Sequence, residues 1–139
     1  MALRKFTMET VGRNICKIRD IYHAITGFET EFLQKYGLCL NEGMALCTLQ
    51  KNKLSSKELA QSLGLTHSNT SKIIKSLEIK MLIKRILGKT DKRRMYFVLT
   101  AQGSDKLKAI NGEEHIILPV LNDIIKILQT SPDAVNATL

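Results

Sequence analysis

Residues 72–94 hold nine basic side chains against two acidic ones, Glu78 and Asp91, a net +7 out of +8 for the whole chain. The same run reads as a helix followed by a two-stranded ribbon whose tip is basic. Charge at that density cannot be buried without partners, so any fold must keep this helix and this ribbon at the surface. The rest of the chain has to supply the core.

Upstream, residues 8–36 show a helical stripe of Val11, Ile15, Ile18, Tyr22, Ile25, Phe28, Phe32 and Tyr36. Spacings of three and four over that length predict one long amphipathic helix, or two with a break near Gly27, closed by Gly37. Asn41 is placed to cap a second helix carrying Met44, Leu46, Cys47 and Leu49. Ser55 and Glu58 have capping-box spacing ahead of a short helix with Leu59, Ala60 and Leu63. Gly64 ends that helix, and Thr66 caps the next, whose buried side is Ile73, Ile74 and Leu77.

Two helices joined by a short Gly-containing turn make a helix-turn-helix. The second helix leaves Ser68, Asn69, Ser71, Lys72 and Lys75 exposed, with Thr66 and His67 at its start. Small polar groups there suit base edges, and the lysines behind them suit phosphates. Residues 82–87 then read as a strand, 88–94 as a polar basic turn with Asp91 in it, and 95–99 as a second strand. Thr100 caps a following helix, which Asn111-Gly112 and Pro119 should bend or interrupt. Ser131-Pro132-Asp133 has the pattern of a last helix start. Basic runs are often plain solvated faces, but charge on two adjoining elements points to a polyanion, and an arginine-bearing tip suits a minor groove.

Composition narrows the remaining classes. A hydrophobic content of 44% with no Trp predicts one domain with an aliphatic core. No secretory leader and no apolar run long enough to span a bilayer are seen, so no membrane partner is expected. Three cysteines without a CxxC pair argue against a disulfide framework and for a reduced, cytoplasmic setting. His23, His67 and His115 are scattered, and Glu113, Glu114 and His115 are sequence neighbours that point apart on a helix, so no metal site is expected. No nucleophile–base arrangement or phosphate loop appears, which argues against an enzyme, and no cofactor is expected.

The order of elements is that of a winged helix flanked by helices. At "LSSKELAQSLGLTHSNTSKIIKSLE" and "IKRILGKTDKRRMYFVLTAQG" the chain resembles the MarR family of bacterial transcription regulators. That family's motifs fall on Leu77-Glu78, Ile83-Lys84-Arg85, Asp91-Lys92-Arg93 and Leu99-Thr100-Ala101-Gln102-Gly103, and the resemblance spans roughly residues 10–130. It implies a mainly α fold with a small β-hairpin wing: a winged helix-turn-helix domain flanked by N- and C-terminal dimerisation helices. On residues 1–139 this places one domain, with dimerisation helices at 8–36 and 101–139 and a DNA-binding core at 40–100.

The resemblance further implies a homodimer on double-stranded DNA at a roughly palindromic operator, acting as a repressor released by a small-molecule effector. The expected DNA-binding residues are Thr66, His67, Ser68, Asn69, Ser71, Lys72 and Lys75 on the recognition helix. Lys89, Asp91, Lys92, Arg93 and Arg94 are expected on the wing, with Asp91 orienting Arg93. Two departures stand out. Met81 replaces the Gly usual before the aliphatic pair, which predicts either a strained positive φ or a different turn. The chain also ends at Leu139, early for the family's last helix, which implies a smaller interface or one leaning on residues 10–36 and 104–128.

Alternative regulators are also compatible with the sequence. Cys16 lies near the reactive cysteine of the family's hydroperoxide sensors, with Arg13, Lys17 and Arg19 nearby to favour a thiolate. Cys39 and Cys47 read as core or loop residues. Tyr22, Phe28 and Phe32 read as dimer core, or as lining for an effector pocket. A nonspecific DNA-coating or protein-interaction module is the remaining alternative, since phosphate contacts alone give sequence-independent binding.

Overall fold

The computed structural model describes residues 11–129, with side chains from 14 onward. The Ser131-Pro132-Asp133 helix start and residues 8–10 of the first helix lie outside the described residues. Six helices and two strands follow one another: α1 Val11–Tyr36, α2 Leu40–Lys51, α3 Ser56–Leu63, α4 His67–Ile79, β1 Ile83–Leu87, β2 Met95–Leu99, α5 Ala101–Gly112 and α6 Glu114–Gln129. They fall into two units. Phe32–Glu113 is one, and the residues before and after it form the other.

In the Phe32–Glu113 unit, local chemistry sets most element boundaries. α1 passes Gly27 without a break and stops at Gly37, which takes φ +68° and donates its N–H to the Leu33 carbonyl at 2.9 Å. α2 starts two residues earlier than its sequence suggests. Cys39, not Asn41, is the N-cap, because Glu42 reaches back to accept the Cys39 N–H at 3.0 Å. Its buried face is Glu42, Ala45, Leu46 and Leu49, so Met44 and Cys47 are exposed rather than core. A charged residue on the inward stripe hid the true phase of this helix.

The next two helices form as their caps predict. Ser55 Oγ accepts the Glu58 N–H at 3.2 Å, and Gly64 closes α3 at φ +67°. Thr66 Oγ1 accepts the Asn69 N–H at 3.1 Å to open α4. Thr70, Ile74 and Leu77 are buried beneath it. Thr70 buries a hydroxyl because that hydroxyl donates to the Thr66 carbonyl at 2.8 Å.

β1 and β2 pair antiparallel, with Ile83 opposite Leu99 and Leu87 opposite Met95. A third partner was not apparent from the sequence: Leu54 bridges Phe97 through N–H···O contacts of 2.8 and 3.3 Å. β1 begins at Ile83, one residue later than expected, because Leu82 belongs to the preceding turn. In that turn Met81 adopts φ +63°.

The Leu-Thr-x-x-Gly exit from the ribbon then locks onto this turn. Thr100 Oγ1 donates to the Met81 carbonyl at 2.7 Å and accepts the Gly103 N–H at 3.0 Å. The Thr100 N–H donates to the Leu82 carbonyl at 3.0 Å. A Cβ at position 103 would overlap that same carbonyl, so only glycine fits there. Leu38, Leu46, Leu59, Leu77 and Leu107 fill the aliphatic centre of this unit.

In the second unit, the described residues are 11–31 of α1 and α6. The helix interruption expected after α5 falls at Glu113, next to Asn111-Gly112. Pro119 does not interrupt α6, which runs on to Gln129. A helix can survive loss of a single backbone bond. No side chain of α6 is buried among the described residues, and Leu118, Leu121, Ile125 and Leu128 are exposed. Ile15, Ile18 and Tyr22 of α1 are exposed too, although they belong to the apolar stripe.

Candidate nucleic-acid interface

α4 presents Thr66, His67, Ser68, Asn69, Ser71, Lys72 and Lys75 at the surface, all exposed. Their partners are few. The Thr66 hydroxyl caps the helix, and the other side chains stand on the face opposite Thr70, Ile74 and Leu77. The N-terminal half of α4 therefore offers short polar groups, with two lysines one and two turns further on.

The wing is built around Asp91. Its carboxylate accepts the Arg93 N–H at 3.0 Å, and its carbonyl accepts the Arg94 N–H at 3.1 Å. The Gly88 N–H closes the loop onto the Arg94 carbonyl at 2.9 Å. Arg93 Nε lies 3.5 Å from the same carboxylate, while its side chain is 95% exposed. Asp91 thus folds the tip and steadies Arg93 without burying it. Lys89, Lys92 and Arg94 are exposed as well.

Helix and wing border a common surface. Ser71 of α4, Ser56 of α3, and Arg85 and Met95 of the ribbon line one depression of about 240 Å³. A neighbouring cleft of about 530 Å³ joins Ser55, Lys57 and Gln61 of α3 to Arg94. Ser56, Lys57 and Gln61 were not singled out from the sequence. The signal available for them was the Ser55–Glu58 capping box, which marks the start of α3 where that cleft lies.

Two members of the basic run are not free. Arg85 is held in a two-pronged ion pair by Glu78, at 2.8 and 2.9 Å, and its guanidinium lies 5.5 Å from the Phe97 ring centre. The Leu77-Glu78 and Ile83-Lys84-Arg85 motifs thereby become one brace between α4 and β1. Lys80 reaches both oxygens of Glu42, at 3.0 and 2.9 Å, and the Gly37 carbonyl at 3.1 Å. Burial by itself would raise the Glu42 carboxyl. The Cys39 N–H, then Lys80 and Ser76, outweigh it and hold the group below the ordinary carboxylate range.

The sensor candidates do not converge. Cys16 is exposed on α1, Arg19 is turned to Asp20 at 3.2 Å, and the side chain of Arg13 lies outside the described residues. Cys47 is exposed, and burial raises the Cys39 thiol above its ordinary value. Phe32 is buried in the winged-helix core, 4.9 Å from the Tyr36 ring, and Tyr22 is exposed. Phe28 lines a separate groove of about 240 Å³ with Ala24, Glu31, Ile116, Val120 and Asp123. Glu113 pairs with Lys35 at 2.7 Å. Among the described residues no group of three His, Cys, Asp or Glu side chains could hold a metal, and no helix is long and apolar enough to cross a membrane.

A helix-turn-helix followed by a basic two-stranded ribbon defines the winged helix-turn-helix class of DNA-binding proteins. The MarR family model matches residues 36–94, the segment that contains α2, α3, α4 and the wing tip. Over that segment the chain is similar to the MarR family of DNA-binding transcription regulators.

Solved structures share its fold at low identity. The transcriptional regulator BldR from Sulfolobus solfataricus is 18% identical, with a TM-score of 0.72 over 96% of this chain and 95% of that one. AbsC, a MarR family regulator from Streptomyces coelicolor, is 20% identical, with a TM-score of 0.73 over 96% and 90%. MepR from Staphylococcus aureus, in a complex with DNA, is 23% identical, with a TM-score of 0.58 over 81% and 98%. No curated protein sequence matches the chain.

Proposed function

We propose that the chain acts as a homodimer on a roughly palindromic operator, where it represses transcription until a small-molecule effector releases it. The observation that carries the reading is the pairing of an exposed polar helix face, Ser68, Asn69 and Ser71, with unburied cations on the adjoining wing. Direct readout by the first group and phosphate or minor-groove contacts by the second are the division of labour this geometry supports. Thr66, His67, Lys72 and Lys75 extend the helix contacts. Lys89, Lys92, Arg93 and Arg94 extend those of the wing, with Asp91 as the residue that shapes it.

Dimerisation is supported by the exposed apolar side chains of α1 and α6. Two recognition helices would then enter successive major grooves about 10 bp apart. The groove of about 240 Å³ beside Phe28 is the candidate site for that effector. A ligand that favours another helix spacing releases DNA, because only one spacing suits both half-sites.

Selection of bound duplexes from a random library at near-physiological salt tests the reading. An enriched inverted repeat is the expected result. Binding without enrichment would favour nonspecific coating instead. Running the selection with peroxide-treated protein, and with Cys16→Ser, separates effector release from thiol oxidation.

A further inference from the structure

The Glu42 carboxylate is 4% exposed, yet it carries a charge and four hydrogen bonds. It accepts the Cys39 N–H at the head of α2, the Ser76 hydroxyl at 2.9 Å in α4, and the Lys80 ammonium just past the end of α4. Lys80 also holds the Gly37 carbonyl, the residue where α1 stops. One buried group therefore ties the C-terminal end of α4 to the junction between α1 and α2.

The lever this creates is long. α4 has 13 residues and spans about 19 Å. A tilt of about 3° at the anchored end moves the opposite end by roughly 1 Å, enough to spoil hydrogen bonds whose useful range is a few tenths of an ångström. Ser68, Asn69 and Ser71 sit at that opposite end. A pair of this kind is poorly explained by stability alone, since well-packed apolar groups often serve a buried site as well or better.

We infer that Glu42 and Lys80 are positioning residues for base reading: they set the angle of α4 to the DNA and do not touch it. The inference rests on the operator-reading role proposed above. It also removes Lys80 from the phosphate-binding set to which its place in the basic run would assign it.

The test compares wild-type protein with Glu42→Gln, Lys80→Met, Ser76→Ala, Lys72→Met and the Glu42→Gln/Lys80→Met double variant. Fluorescence anisotropy reads affinity for the selected operator and for a scrambled duplex across a salt series, and thermal unfolding confirms that each variant is folded. Glu42→Gln removes a negative charge, which by simple electrostatics tightens DNA binding. The positioning role requires the reverse at the operator. The operator-to-scrambled ratio should fall on the order of tenfold, the loss that one poor base contact brings.

Lys80→Met should lower that ratio by a similar factor with no change of salt slope on the scrambled duplex, whereas Lys72→Met lowers that slope by about 1. The double variant should be no worse than the worse single, because the two act through one interaction. Ser76→Ala, the mildest change, should show a smaller drop and keeps the test alive if a charge variant fails to fold. An unchanged ratio in the folded variants, or a Lys80→Met slope that falls like that of Lys72→Met, overturns the inference alone. A wild-type ratio of one would sink the operator reading, and the role of the pair with it.

Discussion

Asp91 and Glu42 show how one carboxylate can serve a basic surface in opposite ways. Asp91 is half-buried and shapes a loop, leaving Arg93 extended into solvent. Arg93→Ala should therefore weaken DNA binding without unfolding the protein and lower the salt slope by about 1. A titration giving unchanged affinity would remove the wing from the interface. Glu42 is enclosed, and its charge matters to stability. Its folded pKa lies below the ordinary 4.5, held there against burial by the Cys39 N–H, Lys80 and Ser76. The stabilisation is fully present above the ordinary carboxylate range and is lost as pH falls through the lowered value. Urea midpoints measured from pH 7 to pH 3 should show the gap between wild type and Glu42→Gln closing at the acid end. A gap that stayed constant would mean that the lost contacts are not tied to ionisation.

Elements whose ends carry their own chemistry were legible in the sequence. Ser55 with Glu58, Thr66, Thr100 and Gly64 set helix ends through contacts within four residues, so their signals survive without knowledge of the fold. The start of α2 was not legible, because its cap depends on Glu42 and the burial of Glu42 depends on Lys80 from another helix. The bridge from Leu54 to Phe97 was hidden for the same reason, being made across 43 residues of chain. Among the candidate site residues, exposure on α4 and the wing followed from pattern, while the bracing of Lys80 and Arg85 required their partners to be placed. The turn between α4 and β1 lies between these cases. Met81 takes φ +63° with its side chain exposed, so the strain buys no packing. A left-handed non-glycine residue costs about 1–2 kcal/mol, and the extra freedom of an unfolded glycine returns about 0.5–1 kcal/mol of that. Met81→Gly should raise stability by up to about 1 kcal/mol in a denaturant titration, and Met81→Ile should lower it. A loss on Met81→Gly would show that the methionine side chain makes a contact worth more than the strain.

At the scale of the molecule, the two units present different surfaces. Phe32–Glu113 has a filled aliphatic centre and keeps its cations outside. The other unit leaves apolar side chains in register: Leu118, Leu121, Ile125 and Leu128 on α6 step by three, four and three residues, and Ile15, Ile18 and Tyr22 on α1 step by three and four. That is the seam spacing of helices that pack against other helices. Burying such a side chain contributes about 1.5–3 kcal/mol. Placing Asp at 121 and 125 in both copies of a dimer therefore removes at least about 6 kcal/mol, roughly 10⁴-fold in dissociation constant. On the proposed dimer, Leu121→Asp/Ile125→Asp should sediment as a monomer at micromolar concentration, and wild type should sediment as a dimer. The winged unit, whose core lacks these residues, should keep its hydrogen-exchange protection. Operator affinity should collapse toward that of a single half-site, while the weaker binding to scrambled DNA, set by the cations of α4 and the wing, declines far less. A double variant that remains dimeric would move the interface off α6 and require another cover for its apolar seam.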